Sequence, residues 1–422
     1  MFARRTQWNL SANCYSLAVD HARGSGRTLL DLTAGNPTAV GLHFEGERIL
    51  RALQHPEALQ YEPASKGIAA AREAVADYYA AWGVALSTEQ IILTVSTSEA
   101  YTYCFRLLCD PGDEVLVPQP SYPLFEFLAD IQDVKLVPYE LVYDHGWQIE
   151  FESLQRAITP RSRAIMVVHP NNPTGHFTRR WELERLNGLC REHELALVAD
   201  EVFLDYGLAD ERGCPTFAAE RPRPERRLLP RTRLRSSVAA KVGETPLSFA
   251  DNHAALTFTL SGLSKICALP QIKVAWIAAS GPPELVHAAL ERLDVIADTY
   301  LSPNAPVQWA IAELLATRDG IQQQLRQRVQ HNLRELDAQL AKAKMTTRLE
   351  FDAGWYAVLR TPSTRSDEET AIALLEQESV LIHPGHFFDF PGSGYLVASL
   401  IAPEEEFREG VERVLRAMDA GT

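Results

Sequence analysis

The stretch Leu256-Thr-Phe-Thr-Leu-Ser-Gly-Leu-Ser-Lys265 reads as a buried strand that runs into a polar turn and delivers a lysine. Open α/β sheets place their ligands at the carboxyl ends of strands, which is where Lys265 falls. Upstream, Leu195-Ala-Leu-Val-Ala199 reads as a parallel strand that ends in the acidic pair Asp200-Glu201. A lysine and a carboxylate at adjoining strand ends can hold one flat, charged molecule between them.

Working outward, further strands are expected at 91–95, 114–117, 134–137, 164–168 and 274–278, with helical stretches at 98–108 and 179–193 between several of them. Alternation of this kind gives an α/β fold with a mostly parallel central sheet covered on both faces. A chain of 422 residues with 46% hydrophobic content can bury a large core and divide into two domains. The expected division is a large domain over 50–305 and a smaller α+β domain, reached through a long helical segment at about 306–344 and formed by 306–422. The amino-terminal arm, 1–49, usually joins the smaller domain in this fold class. One segment fits neither pattern. Residues 210–250 are irregular, with eight arginines between Arg212 and Arg235 and prolines at 215, 222, 224 and 230. They read as a surface insertion, with a lid or a contact for an acidic partner as the alternative.

Composition excludes several classes. The net charge is −14, from 41 basic and 55 acidic residues, and no basic, aromatic-interleaved stripe offers a nucleic-acid surface. The six cysteines lack C-x-x-C spacing and read as reduced thiols of a cytosolic protein. Arg4-Arg5 is not followed by an apolar export segment, and no apolar run is long enough to span a membrane. His383-Pro-Gly-His386 and the pair His169 and His176 lack accompanying ligands at suitable spacing, so no metal is expected.

The chemistry of the two strand-end residues narrows the ligand. Desolvated lysine amines form Schiff bases with carbonyl compounds, and pyridoxal 5′-phosphate (PLP) is the cofactor aldehyde that needs one. A buried carboxylate against the pyridine nitrogen keeps that ring protonated and able to accept electrons. Lys265 and Asp200 suit these roles, yet each taken singly reads equally well as a surface lysine or an ordinary strand-end aspartate. The third element is His169-Pro-Asn-Asn-Pro-Thr-Gly175, which follows the strand Ala164-Ile-Met-Val-Val168. Asn172 can donate its amide to a phenolate oxygen, although Asn-Pro and Thr-Gly dictate a turn in any case.

In order and strand context these segments resemble the fold-type-I, PLP-dependent aminotransferases of the aspartate aminotransferase superfamily, class I/II. The resemblance runs from Asp31-Leu-Thr-Ala-Gly-Asn-Pro-Thr38 to the carboxyl-terminal helix. It implies that Lys265 binds the PLP aldehyde, that Asp200 holds the ring nitrogen, and that Asn172 contacts the ring oxygen. Tyr122, in Pro118-Gln-Pro-Ser-Tyr-Pro123, falls where the family stacks an aromatic ring on the pyridine; a core tyrosine is the other reading. Thr94-Val-Ser-Thr-Ser-Glu-Ala100 resembles the phosphate-holding turn, with Ser96, Thr97 and Ser98 at the contacting positions. Hydroxyls and free amides at a helix start suit an anion, and a plain helix cap at Ser98 is the alternative. Tyr61-Glu-Pro-Ala-Ser-Lys-Gly67 is similar to the segment whose tyrosine reaches the partner subunit's cofactor phosphate, which implies a homodimer with shared sites.

Four positions depart from the family pattern. Phe203 stands where a tyrosine is usual, so one hydrogen bond to the ring oxygen is missing. Lys273 replaces a phosphate-binding arginine, keeping the charge and losing the bidentate fork. Asp298-Thr-Tyr-Leu-Ser302 carries no arginine for a side-chain carboxylate. Val397, in Tyr395-Leu-Val-Ala-Ser399, replaces the arginine that grips the substrate α-carboxylate. Arg360 or backbone amides near Gly35 are the substitutes the sequence offers, with Trp355 and Tyr356 as pocket walls. Dicarboxylic donors are therefore expected to be disfavoured.

The implied activity is transfer of an amino group from an amino donor to a 2-oxo acid. A PLP-dependent lyase, oxidase or biosynthetic enzyme on the same fold, and a non-catalytic PLP-binding regulator, are the alternatives; retention of both Lys265 and Asp200 speaks against the last.

Overall fold

The structure is a computed structural model that describes residues 1–122, 125–208, 248–301 and 303–421. Most of the arginine-rich segment read as an insertion lies outside the described residues. Fourteen strands are described: β1 Leu30–Asp31, β2 Ile91–Thr94, β3 Glu114–Gln119, β4 Lys135–Tyr143, β5 Trp147–Ile149, β6 Ser162–Val168, β7 Ala196–Asp200, β8 Thr257–Gly262, β9 Ala275–Ser280, β10 Thr347–Arg348, β11 Tyr356–Arg360, β12 Val380–Leu381, β13 His383–Pro384 and β14 Tyr395–Ser399. Eight of them form the central sheet in the order β2-β9-β8-β7-β6-β3-β4-β5. The pairs from β8 to β4 run parallel, while β9 and β5 run against their neighbours.

Strands β7, β8 and β9 are buried at every position, as a sheet covered on both faces requires. One face packs Ile92, Val115, Met166, Val198, Phe258 and Ile277 against the Thr97–Leu108 and Pro283–Tyr300 helices. Register is what builds the site. Val168 pairs with Asp200, and Asp200 with Leu260, so β6, β7 and β8 end side by side. Adjacent strands lie about 4.8 Å apart, and the chain leaves these three ends as the asparagine turn, Glu201 and the lysine turn.

The second layer is a four-stranded antiparallel sheet in the order β10-β11-β14-β13. Its core joins Leu325, Val329 and Leu336 to Leu359, Leu396, Phe407 and Val414, and takes in Tyr15, Leu30 and Leu32 from the amino-terminal region. Strand β1 pairs in parallel with β12. Residues before Asn9 behave differently: Arg5 pairs with Asp133, Trp8 donates to Asp130, and the Trp8 ring meets Phe127, all at the Phe125–Ile131 helix beside the central sheet.

The long helical segment expected from 306 to 344 is two helices, Ala305–Ala316 and Arg318–Leu340. Thr317 interrupts it, and its Oγ1 donates to the Leu314 carbonyl at 2.7 Å. The first helix packs Val307, Ile311 and Leu314 with Leu93 and Trp276 of the central sheet, whereas the second joins the core of the smaller sheet.

Candidate active site

Lys265 follows β8 on a single helical turn, Leu263–Ile266. Its Nζ lies 5.1 Å from the ring centroid of Trp355 and 5.5 Å from that of Phe203. Those two buried rings meet edge to face with centroids 5.1 Å apart. Burial pulls the Lys265 amine below the ordinary lysine range, and the Asp200 charge opposes this. A lysine so placed spends more time as the neutral, nucleophilic amine.

Asp200 ends β7 with only 8% of its surface exposed. Oδ2 accepts the Tyr101 hydroxyl at 2.7 Å, and Oδ1 accepts the Val202 N–H at 3.0 Å. Burial raises the Asp200 pKa, against the pull of Tyr101, the Val202 N–H and Lys265. Glu201 points elsewhere, accepting from Ser248 Oγ and the Phe249 N–H, and burial pushes its carboxyl up to about 8.

Asn172 lies in a buried turn closed by the Gly175 N–H donating to the Asn171 carbonyl and by Thr174 Oγ1 donating to Asn171 Oδ1, each at 2.8 Å. Gly175 has φ +66, and a Cβ there would stand 2.4 Å from the Ala353 carbonyl oxygen. The turn therefore docks on the segment that carries Trp355: the Asp352 and Ala353 N–H groups both donate to the Gly175 carbonyl at 3.1 Å. Asn172 Oδ1 is buried with no hydrogen-bond partner among the described residues.

Ser96 caps the Thr97–Leu108 helix, its Oγ accepting the Glu99 N–H at 3.1 Å. The cap is therefore Ser96 and not Ser98, and Thr97 and Ser98 occupy the first turn, half-buried. Tyr122 is 40% exposed and meets Phe125 edge to face. A Cβ on Gly35 would stand 3.0 Å from the Tyr356 hydroxyl. Burial, followed by the proximity of Tyr122, raises the Tyr356 phenol to about 12. Gly35, Tyr356 and Tyr122 thus share one wall. Lys273 is exposed with φ +59, and Tyr61 is exposed.

Arg360 does not gather there. It is exposed at the far end of β11, opposite Tyr395, while Trp355 stands just before the start of that strand. Five residues of extended chain, about 16 Å, separate them. Val397 is fully buried between Val358 and His383, in the apolar cluster that joins the smaller sheet to Leu116, Tyr139 and Val167 of the central sheet and packs against Tyr356. Tyr101 is the contact the sequence reading missed. On a helix face it reads as ordinary core, and only its place one turn after Thr97, facing the end of β7, distinguishes it.

The family profile described as "Aminotransferase class I and II" matches residues 27–414. The chain belongs to this family. It is similar to the glutamate-pyruvate aminotransferase AlaA of Haemophilus influenzae, 25% identical over 93% of this chain and 91% of that one. It is 27% identical to the aspartate/prephenate aminotransferase of Thermus thermophilus over 94% and 92% of the two chains. Among solved structures, the alanine aminotransferase from Pyrococcus furiosus superposes with a TM-score of 0.81 at 22% identity, covering 100% of both chains. The aminotransferase is a PLP-dependent transaminase of fold type I. Its residues fit PLP: a desolvated amine and a buried carboxylate with an O–H donor already in place lie at adjoining strand ends.

Proposed function

We propose that Lys265 is the PLP-binding lysine and the proton carrier of the transamination, with Asp200 and Asn172 as its partners. The observation that supports this most is the Lys265 amine, desolvated between Phe203 and Trp355 with Asp200 as its nearby counter-charge. Bound PLP supplies the electron sink that lets a substrate C–H bond break. Lys265 Nζ would take that proton from the substrate and return it during the transfer. Asp200 keeps the ring nitrogen charged, Asn172 orients the ring oxygen, and Tyr122 covers the ring. Ser96, Thr97 and Ser98 receive the phosphate at the helix start, assisted by Lys273.

The same proposal includes a homodimer in which Tyr61 of the partner subunit completes the phosphate site. Tyr61 lines an exposed hollow with Leu301, Asp298 and Trp309, and Leu59 beside it is 94% exposed. So much exposed apolar surface around one hollow suits a subunit contact. The two domains are proposed to divide at Thr317, and the protein to work in the cytosol, in keeping with its free Cys14, Cys104, Cys109, Cys190 and Cys267. Among the described residues no helix is long and apolar enough to cross a membrane.

Gly35, Trp355 and Tyr356 are the proposed substrate wall. Arg360 stands too far along β11 to serve, so the backbone near Gly35 is left to meet a substrate carboxylate. Relatives are named for glutamate-pyruvate and aspartate/prephenate transfer, but with valine at 397 this aminotransferase is proposed to favour neutral, aromatic or cationic donors over dicarboxylic ones. Spectral half-reactions with a panel of amino donors test this. Fast conversion by aspartate or glutamate would overturn it.

A further inference from the structure

The Thr97–Leu108 helix carries both the proposed phosphate-binding residues and a contact to Asp200. Its start presents Thr97 and Ser98, and one turn on, Tyr101 is buried, packed edge to face on Phe125 with ring centroids 5.3 Å apart and beside Phe105. A rise of 1.5 Å per residue sets Tyr101 about 6 Å along the axis from Thr97. From there its hydroxyl donates to Asp200 Oδ2 at 2.7 Å.

Resting on the PLP reading above, we infer that Tyr101 is a positioning residue for the transamination: its hydroxyl holds Asp200 ionised and oriented, and so keeps the cofactor's ring nitrogen protonated.

The groups that face Asp200 are Tyr101 from the helix, Tyr122 after β3, Lys265 after β8, and its neighbour Glu201. Glu201 and Tyr122 bring no positive charge, and the Lys265 amine is engaged by the cofactor in the resting enzyme. The fixed donors are therefore the Tyr101 hydroxyl and the Val202 N–H. A proton shared between a carboxylate and a pyridine nitrogen moves toward the nitrogen when donors stabilise the carboxylate anion. Tyr101 does not surrender its own proton, because burial and the neighbouring Asp200 both hold the phenol well above its ordinary range. Without that hydroxyl only the Val202 contact remains, on Oδ1. The carboxylate can then turn about its terminal torsion, which has no steep preference of its own.

The test is Tyr101→Phe, which keeps the ring on Phe105 and Phe125 and removes the donor. PLP labelled with 15N in its ring reports by NMR the pH at which that nitrogen loses its proton. We expect this midpoint to fall by about one pH unit, a factor of ten in the proton equilibrium, with kcat lowered about tenfold and KM little changed. In an Asp200→Asn background the same change should have no further effect on the nitrogen signal. An unchanged midpoint in Y101F, or an equal shift in the Asp200→Asn background, would overturn the assignment. Should Y101F not fold, 3-fluorotyrosine placed at 101 alone decides: the stronger donor must raise the midpoint, and an unmoved midpoint overturns the assignment. Absence of any bound PLP in the wild-type protein would count against the parent reading instead, and is visible before either variant is made.

Discussion

Phe203 occupies a position from which a hydroxyl would change the chemistry of Lys265, since its ring lies 5.5 Å from Nζ. A phenol there would donate toward the ring oxygen of bound PLP, stabilise its anionic form and ease loss of the neighbouring proton. Phe203→Tyr is expected to lower the pH midpoint of the cofactor's visible absorption change. Equal midpoints in a spectral titration would mean that another donor already serves, and Trp355 Nε1, buried without a hydrogen-bond partner among the described residues, is the first to examine. Glu201 yields a stability prediction. Its carboxyl, pushed up to about 8 by burial, binds a proton more tightly in the folded than in the unfolded state. Stability from this group is then fully present below the ordinary carboxylate pKa and is lost as pH rises toward 8. Glu201→Gln, which mimics the protonated form, should flatten the fall in Tm across that window, whereas parallel Tm profiles would contradict the assignment. At this scale the candidate residues stand out in the sequence. Lys265, Asp200 and Asn172 each follow an apolar run, and their functional groups suit one cofactor. Tyr101 does not, because a tyrosine on a helix face carries no mark that separates a donor from core packing.

The turn between Asn171 and Gly175 is the element on which the two sheets meet. A methyl group on Gly175 would strike the Ala353 carbonyl, and φ +66 is unfavourable for alanine. Gly175→Ala is expected to destabilise the protein by about 1–3 kcal/mol and to weaken PLP binding by displacing Asn172 and Trp355 together. Denaturant unfolding and PLP titration check the pair; a loss of stability with unchanged PLP affinity would show that the turn does not position Asn172. The expected strands of the central sheet all formed, and those buried on both faces, such as β6, β7 and β8, are written as continuous apolar runs. The break at Thr317 was not read, although Gly320 follows it by three residues, because one helical pattern runs into the next. Arg360, named as a substitute for the missing arginine, lies at the exposed end of β11, away from Trp355. A sequence gives the length of a strand, but not which of its ends faces the site.

At the scale of the whole molecule, two subunits are proposed to complete each other's phosphate sites. Lys265→Ala and Tyr61→Ala homodimers should each be impaired. Subunits mixed and reassembled should recover activity, because one of the two sites in a heterodimer then carries neither change. Mixtures that stay as inactive as their components would remove Tyr61 from the site, and a monomer in sedimentation at working concentration would remove the dimer. The surface around Tyr61 and Leu301 carries this expectation, and the arginine-rich segment after Leu208 plays no part in it. Everything else in the account depends on one bond. Borohydride reduction of the purified yellow protein, followed by peptide mapping, should place the pyridoxyl group on Lys265, and Lys265→Ala should bind PLP without the covalent label and lose turnover. A label on any other lysine, or a wild-type protein that takes up no PLP after reconstitution, would contradict the account.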